Sequence, residues 1–335
     1  MTEWVMPAEW APHACCWMAW PCRAASWPAG DLAAARAAYA AVARTIAQFE
    51  PVRMAVRPAD AAAAAALLGA AATLVEMPLD DSWMRDIGPS FVYGPAHAGG
   101  PAGLAGVDWG FNGWGGLWPD HAADARAARA VLAAAGAARL AGPLILEGGS
   151  IHVDGAGTLL TTEECLFDPQ RNPHLDRADF ESIFAALLGA RRVVWLERGL
   201  TNDETRGHVD NLCCFTRPGR VLLPGTTDAH DPDFARLRDA RARLRAAGLE
   251  IVDLPVPPRR HNRHGVMALS YVNFYLANGG VVMPALDPAT DAAAAAVLAA
   301  EFPGRVVRCV PGLPIAEGGG NIHCITQQQP LVGNQ

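Results

Sequence analysis

Alanine-rich, helix-forming stretches alternate with short β-branched runs from one end of this chain to the other, and that alternation restricts the fold to few classes. Asp31 to Phe49 reads as a helix with Asp31 as its N-cap, and Pro51 to Val56 then reads as a strand. Ala59 to Leu68 reads as a helix stopped by Gly69, before a strand at Thr73 to Met77. Three more helices, Asp120 to Ala135, Arg177 to Leu188 and Asp233 to Ala247, each end at a glycine; the last two precede strands at Val193 to Leu196 and Glu250 to Leu254. Ala289 to Glu301 leads into a strand at Arg305 to Val310. The expected class is α/β. No long linker or Ser/Pro/Gly-rich tract divides the chain, so residues 1–335 are expected to form one domain.

Composition removes several functions. All 27 basic residues are arginine, so a Schiff-base lysine and a Walker-type phosphate loop are both excluded. A net charge of −7 without a basic block argues against nucleic acid and favours a cationic ligand. The chain is 51% hydrophobic, yet no apolar run approaches the roughly 18–20 residues of a membrane span. Met1 to Pro7 lacks a basic stretch followed by an apolar core, so a soluble cytoplasmic protein is expected.

Eight cysteines include no C-x-x-C pair, and most are expected to pack as small apolar groups, leaving one or two for chemistry. Four segments join titratable residues to glycine in an otherwise alanine-rich chain. They are Asp80 to Pro89, Leu146 to Gly149, Asp203 to Asn211 and Gly318 to Cys324. Glu147 to Val153 also echoes Glu317 to Cys324 with one residue inserted, as repeated units would produce. Each candidate has a packing alternative. Cys324 alone reads as a buried thiol, His208 with Asp210 as a surface pair, and Asp86 with Arg85 as a solvated ion pair. Glu147 reads as a turn residue, Trp83 as core, and His152 and His323 as satisfied core histidines.

No H-E-x-x-H, C-x-x-C or EF-hand pattern supports a metal, and no G-x-S-x-G or G-x-G-x-x-G supports a serine hydrolase or a dinucleotide site. Neither metal nor cofactor is expected.

The motifs together carry a resemblance. Met6 to His13, Trp83 to Pro89, Val107 to Asn112, Leu159 to Leu166 and Arg171 to Pro173 open the set. Gly207 to Asn211, Ser270 to Tyr275 and Gly318 to Pro330 complete it nearly end to end. This pattern resembles the agmatine deiminases of the pentein, or guanidino-group-modifying, superfamily. The resemblance implies a five-bladed α/β propeller of ββαβ units with a central site. It further implies Cys324 as nucleophile, His208 as general acid/base, Asp86 and Asp210 as guanidinium-binding carboxylates, and Glu147 as the acid that orients the histidine. Chemistry asks for such a set: a guanidinium is a delocalised cation with a pKa above ~12, so paired carboxylates must fix its carbon for a thiolate.

The expected substrate is a small cationic guanidino compound, agmatine, with Trp83, Glu204 and Gly320 completing the binding set. Asp203, Asp80 and Asp81 are further candidates for an acidic tail pocket. Arg206 and the cationic segment Pro257 to His264 oppose this reading. Deimination of free arginine or of peptidyl-arginine is the alternative, and a silent binder of cationic metabolites is another. A homodimer is expected from the family alone.

Overall fold

The glycine-stopped helices and the runs that follow them form the outer half of a repeated unit. The computed structural model describes residues 4–27, 31–94, 103–262 and 265–332. Observed helices include Asp31–Ile46, Ala61–Leu68, Ala127–Ala135, Arg177–Leu188, Phe234–Ala246 and Asp291–Glu301. Asp31 is the first helical residue rather than the cap. The helix expected from Asp120 begins at Ala127, because the Asp80 carboxylate takes the Ala123 N–H and the chain passes through a 3-10 turn at Asp124–Arg126. Gly136 and Gly189 close their helices in the left-handed conformation, with φ of 64° and 69°.

Eighteen strands are named in chain order. They are β1 (His13–Ala19), β2 (Val52–Val56), β3 (Thr73–Glu76), β4 (Ser90–Tyr93), β5 (Leu104–Gly110) and β6 (Ala138–Ile145). Next come β7 (Ile151–Val153), β8 (Thr158–Thr162), β9 (Arg192–Leu196), β10 (Cys214–Arg217), β11 (Arg220–Gly225) and β12 (Glu250–Pro255). The last are β13 (His261–Asn262), β14 (Gly265–Val266), β15 (Tyr275–Ala277), β16 (Gly280–Ala285), β17 (Val306–Pro311) and β18 (Thr326–Pro330). Five sheets share one topology: an antiparallel pair, a helix, then a parallel strand. They are β4-β5-β6, β7-β8-β9, β10-β11-β12, β15-β16-β17 and β18-β1-β2, the last extended by β3. The right-handed helical crossover is the usual way to join parallel neighbours. Among the described residues five ββαβ units result, consistent with the repeat that the resemblance implies.

Ring closure is built from the two ends of the chain. The C-terminal β18 pairs antiparallel with β1, from His13 opposite Pro330 to Met18 opposite Thr326. The helices cover the sheets from outside, burying alanine and leucine faces such as Ala35, Ala38, Val42 and Ile46.

The repeat also places the polar residues. Each blade begins with a short turn just ahead of its first strand: Met84–Ile87 before β4, Gly148–Ser150 before β7 and Val209–Asn211 before β10. Asn273 precedes β15, and Asn321 to Cys324 precede β18. The five turns therefore converge, and Gly148–Ser150 packs against both Met84–Ile87 and Val209–Asn211.

Candidate active site

Asp86, Asp210 and Cys324 lie in three of these turns, and Glu147 and His208 immediately precede the turns at Gly148–Ser150 and Val209–Asn211. Asp86, Glu147, His208, Asp210 and Cys324 are all buried. None is a solvated pair or a surface turn residue.

Cys324 is held on two sides. Its Sγ lies 3.4 Å from Asp210 Oδ2, to which the thiol donates, and the Asn273 side-chain amide donates to the sulfur at 3.1 Å. Asn273 Oδ1 also accepts from the backbone N–H groups of His323 and Cys324, at 2.9 and 3.3 Å, which fixes the turn. Asp86 accepts from the Trp114 indole N–H at 2.9 Å and from the Gly149 N–H at 3.0 Å. Trp114 sits in the left-handed region, with φ of 56° and ψ of 53°, between Gly113 and Gly115. That backbone is costly for a bulky residue, and it aims the indole at the carboxylate.

Gly149 explains how these groups approach one another. A Cβ there would lie 2.6 Å from His208 Nδ1 and 2.9 Å from both Asp210 Oδ2 and Asp86 Oδ1. Two carboxylates and an imidazole thus converge on a position only glycine can occupy. His208 Nδ1 is 3.7 Å from Asp86 Oδ1, an ion-pair distance without a hydrogen bond. Its Nε2 faces Glu147 Oε2 at 3.5 Å. Glu147 is gripped by Arg171, whose Nε reaches both carboxylate oxygens at 3.0 Å. Arg171 also donates to Asp168 at 2.8 Å and to the Thr205 carbonyl at 2.7 Å, so Glu147 is locked from behind.

Charge follows from this geometry. Burial raises the Cys324 thiol well above its ordinary range, and Asp210 and Asp86 push it further. Burial alone would lower His208, but Asp86, Cys165 and Glu147 hold it well above the ordinary imidazole value. Burial raises Asp86 to about 6, with Asp210 and Glu147 adding to the effect against the pull of His208. Burial would likewise raise Asp210 and Glu147, yet their cationic partners win: His323 lowers Asp210, and Arg171 with His208 lowers Glu147. The empty site therefore pairs a neutral thiol with a charged imidazole.

A cleft with about 340 Å³ of empty space, solvent at its mouth included, leads to the sulfur. Trp83, Asp86, Trp114, Leu117, Trp118, Glu204, Thr205, Gly318 to Gly320 and Cys324 line it. Trp83 stacks on Trp27 at 5.9 Å between ring centroids. Gly320 leaves room for both Trp83 and the sulfur, since a Cβ would lie 2.6 Å from the indole and 3.1 Å from Sγ. Glu204 lies over the glycine turn, its Oε2 2.9 Å from where a Gly319 Cβ would stand.

Of the acidic tail candidates, only Glu204 reaches the cleft. Asp80 holds the Ala123 N–H, Asp81 pairs with Arg23 and Ser26, and Asp203 accepts from Thr205. The opposing cations are occupied elsewhere. Arg206 bonds Asp168 at 2.7 Å, Arg259 bonds Asp231 and Asp233, and Arg260 bonds Asp287. Arg263 and His264, like Met1 to Glu3, lie outside the described residues.

Two groups of possible metal donors have atoms within 4.8 Å of one another: Glu9, His152 and His323, and Glu147, Cys165 and His208. The second already contains the Arg171 clamp on Glu147, and in the first both His323 nitrogens face carboxylates.

Asn273, Trp114, Arg171, Glu9 and His323 belong to the site, and no role was expected for them. His152 and His323 are satisfied buried histidines, but the partners of His323 are Asp210 and Glu9. The glycine echo is out of phase with the repeat: Gly148–Ser150 adjoins β7, whereas Gly318 to Gly320 end six residues before β18. Position ahead of each inner strand was the signal that would have found Asn273.

The chain matches the family model of the Porphyromonas-type peptidyl-arginine deiminases over residues 5–330. It is 46% identical to an agmatine deiminase of Stutzerimonas stutzeri, the match covering 97% of this chain and 95% of that protein. It is 43% identical to an agmatine deiminase of Pseudomonas aeruginosa over the same shares. Among solved structures it resembles an agmatine deiminase of Enterococcus faecalis, with a TM-score of 0.90 and 33% identity over 98% of this chain and 96% of that one.

Proposed function

Because this chain belongs to the Porphyromonas-type peptidyl-arginine deiminase family, we propose that its reaction is the hydrolytic deimination of agmatine to N-carbamoylputrescine and ammonia. One observation carries the reading. A buried thiol, two carboxylates and an imidazole meet at the end of a cleft whose described lining includes Glu204 and no arginine. Agmatine ends in an ammonium, which suits that lining; the carboxylate of free arginine would meet the like-charged Glu204 instead.

Each role follows from a position. Asp86 and Asp210 bind the guanidinium edges and hold its carbon near Cys324 Sγ. The arriving cation offsets the two acids that keep the thiol neutral, so the thiol releases its proton to solvent as substrate binds and thiolate forms where it is used. Attack gives a neutral tetrahedral adduct. Protonated His208 gives its proton to one amino nitrogen, and ammonia leaves an amidino group on the sulfur. Neutral His208 then takes a proton from water as its oxygen adds to that carbon. Collapse expels the sulfur, forms the ureido carbonyl, and leaves His208 charged as at the start. Glu147, clamped by Arg171, stabilises that charge. Trp83 packs on the methylene chain, Gly320 keeps the passage open, and Glu204 takes the terminal ammonium.

The whole chain, 1–335, acts as one catalytic domain in the cytoplasm. No described helix is long and apolar enough to cross a membrane. A homodimer is part of the same proposal, and light scattering tests it. Ammonia release from agmatine, free arginine and an arginyl peptide tests the substrate. Agmatine is the expected substrate, and equal or faster release from either alternative overturns the assignment.

A further inference from the structure

Asp210 and Asp86 are two buried carboxylates beside one thiol, and like charges at such distances resist joint ionisation. Something must decide which acid is charged before substrate arrives. The arrangement behind Asp210 supplies an answer. His323 Nδ1 is 2.9 Å from Asp210 Oδ2, and His323 Nε2 is 2.7 Å from Glu9 Oε1. An ionised carboxylate only accepts, so an imidazole bonded to one at each nitrogen must carry hydrogen on both. Glu9 comes from the segment ahead of β1, and Asp210 and His323 from the turns before β10 and β18, so three distant parts of the chain meet. All three residues are buried, so solvent does not supply the proton partners.

We propose that Glu9, His323 and Asp210 form a carboxylate–imidazolium–carboxylate relay in which His323 and Glu9 are positioning residues. The relay holds Asp210 ionised and leaves its Oδ1 for the incoming guanidinium. Oδ1 is indeed a buried oxygen without a hydrogen-bond partner, while Oδ2 takes His323 and the Cys324 thiol. The inference rests on the deiminase reading and adds to it the source of the difference between the two acids.

The charged and titratable surroundings agree. Facing His323 are Glu9, Asp210 and Arg85, with His152 across Glu9 at 6.2 Å between ring centroids. Arg85 Nη1 stands 3.4 Å from Glu9 Oε1 and His152 Nε2 3.5 Å from Glu9 Oε2, which favours an ionised Glu9. Facing Asp210 are His323, His208, Arg85, Cys324, Cys214 and Asp203, with Asp86 across Gly149. Burial and Arg85 would lower His323, but Glu9 and Asp210 raise it above the ordinary imidazole value. Asp86 has no such imidazolium bonded to it.

Two measurements test the relay. Nitrogen NMR of histidine-labelled protein, assigned with His323→Gln, should show His323 still protonated on both nitrogens above the ordinary imidazole value of ~6.5. A ring that titrates at the ordinary value overturns the proposal. In Glu9→Gln, the weakened imidazolium raises the Asp210 pKa toward that of Asp86. KM for agmatine should rise roughly tenfold at neutral pH with a smaller change in kcat. The acid limb of kcat/KM should steepen from a one-proton to a two-proton slope. An active, folded Glu9→Gln protein with unchanged KM and slope refutes the relay. A wild-type protein that releases no ammonia from agmatine refutes the deiminase reading instead, and the NMR result then judges the relay alone.

Discussion

Replacing Gly149 by alanine should damage catalysis far more than folding. The added methyl would stand 2.6 Å from His208 Nδ1 and 2.9 Å from Asp210 Oδ2 and Asp86 Oδ1. Against an optimum of ~3.5 Å, these contacts are about 0.9 and 0.6 Å too close. The backbone cannot retreat to absorb the strain. Gly149 N–H is bonded to Asp86, and Gly148 already abuts the Arg85 carbonyl, 2.2 Å from where its own Cβ would lie. The side chains must therefore move, and all three belong to the proposed reacting set. Overpacking of this kind costs about 1–3 kcal/mol of stability. A displacement near 1 Å costs roughly 10²-fold in rate. We expect kcat for ammonia release from agmatine to fall about 10²-fold, with a thermal midpoint lowered by only a few degrees. Gly219→Ala provides the control. Its φ is +78° and nothing lies within 4 Å of the new Cβ, so it should lose stability through backbone strain while keeping its rate. A folded Gly149→Ala enzyme with kcat within about threefold of wild type would refute this convergence, since the site would then tolerate misplacements that proximity catalysis does not.

Two further outcomes follow from charge. The Cys324 thiol is pushed well above its ordinary value, so a raised-pKa group stays protonated until high pH. Alkylation of the free enzyme by neutral iodoacetamide should be slow at neutrality and increase roughly tenfold per pH unit without levelling at the ordinary thiol value of ~8.5, whereas a cationic haloamidine should react faster; a flat, fast neutral reaction contradicts the assignment. Glu204→Gln should raise KM for agmatine about tenfold with little loss of kcat, because it removes attraction for the remote ammonium, and an unchanged KM would take Glu204 out of tail recognition.

Much of the outer shell was legible from sequence, and the inner shell only partly. Helices such as Arg177–Leu188 bury one face, end at glycine and precede a β-branched run, so local pattern suffices to place them. The inner strands are short, β7 having three residues and β15 three, and they carry polar motifs that hide their periodicity. Asp86, Glu147, His208, Asp210 and Cys324 stood out because titratable groups beside glycine are rare in an alanine-rich chain. Glu9 and His323 are 314 positions apart, and only ring closure through β1 and β18 brings them together. Local pattern has no access to such a contact. Asp80 and Asp81 adjoin the segment that carries Asp86 yet turn to Ala123 and Arg23, which shows that nearness in sequence does not point a side chain into a cleft.

The sulfur-centred chemistry is open to a direct measurement: acid-quenched turnover with agmatine, followed by mass analysis of the peptide holding Cys324. Cys324 should gain the mass of agmatine less ammonia, formed and lost at rates compatible with turnover. Steady ammonia release with no adduct on Cys324, or with the adduct on another residue, would contradict it.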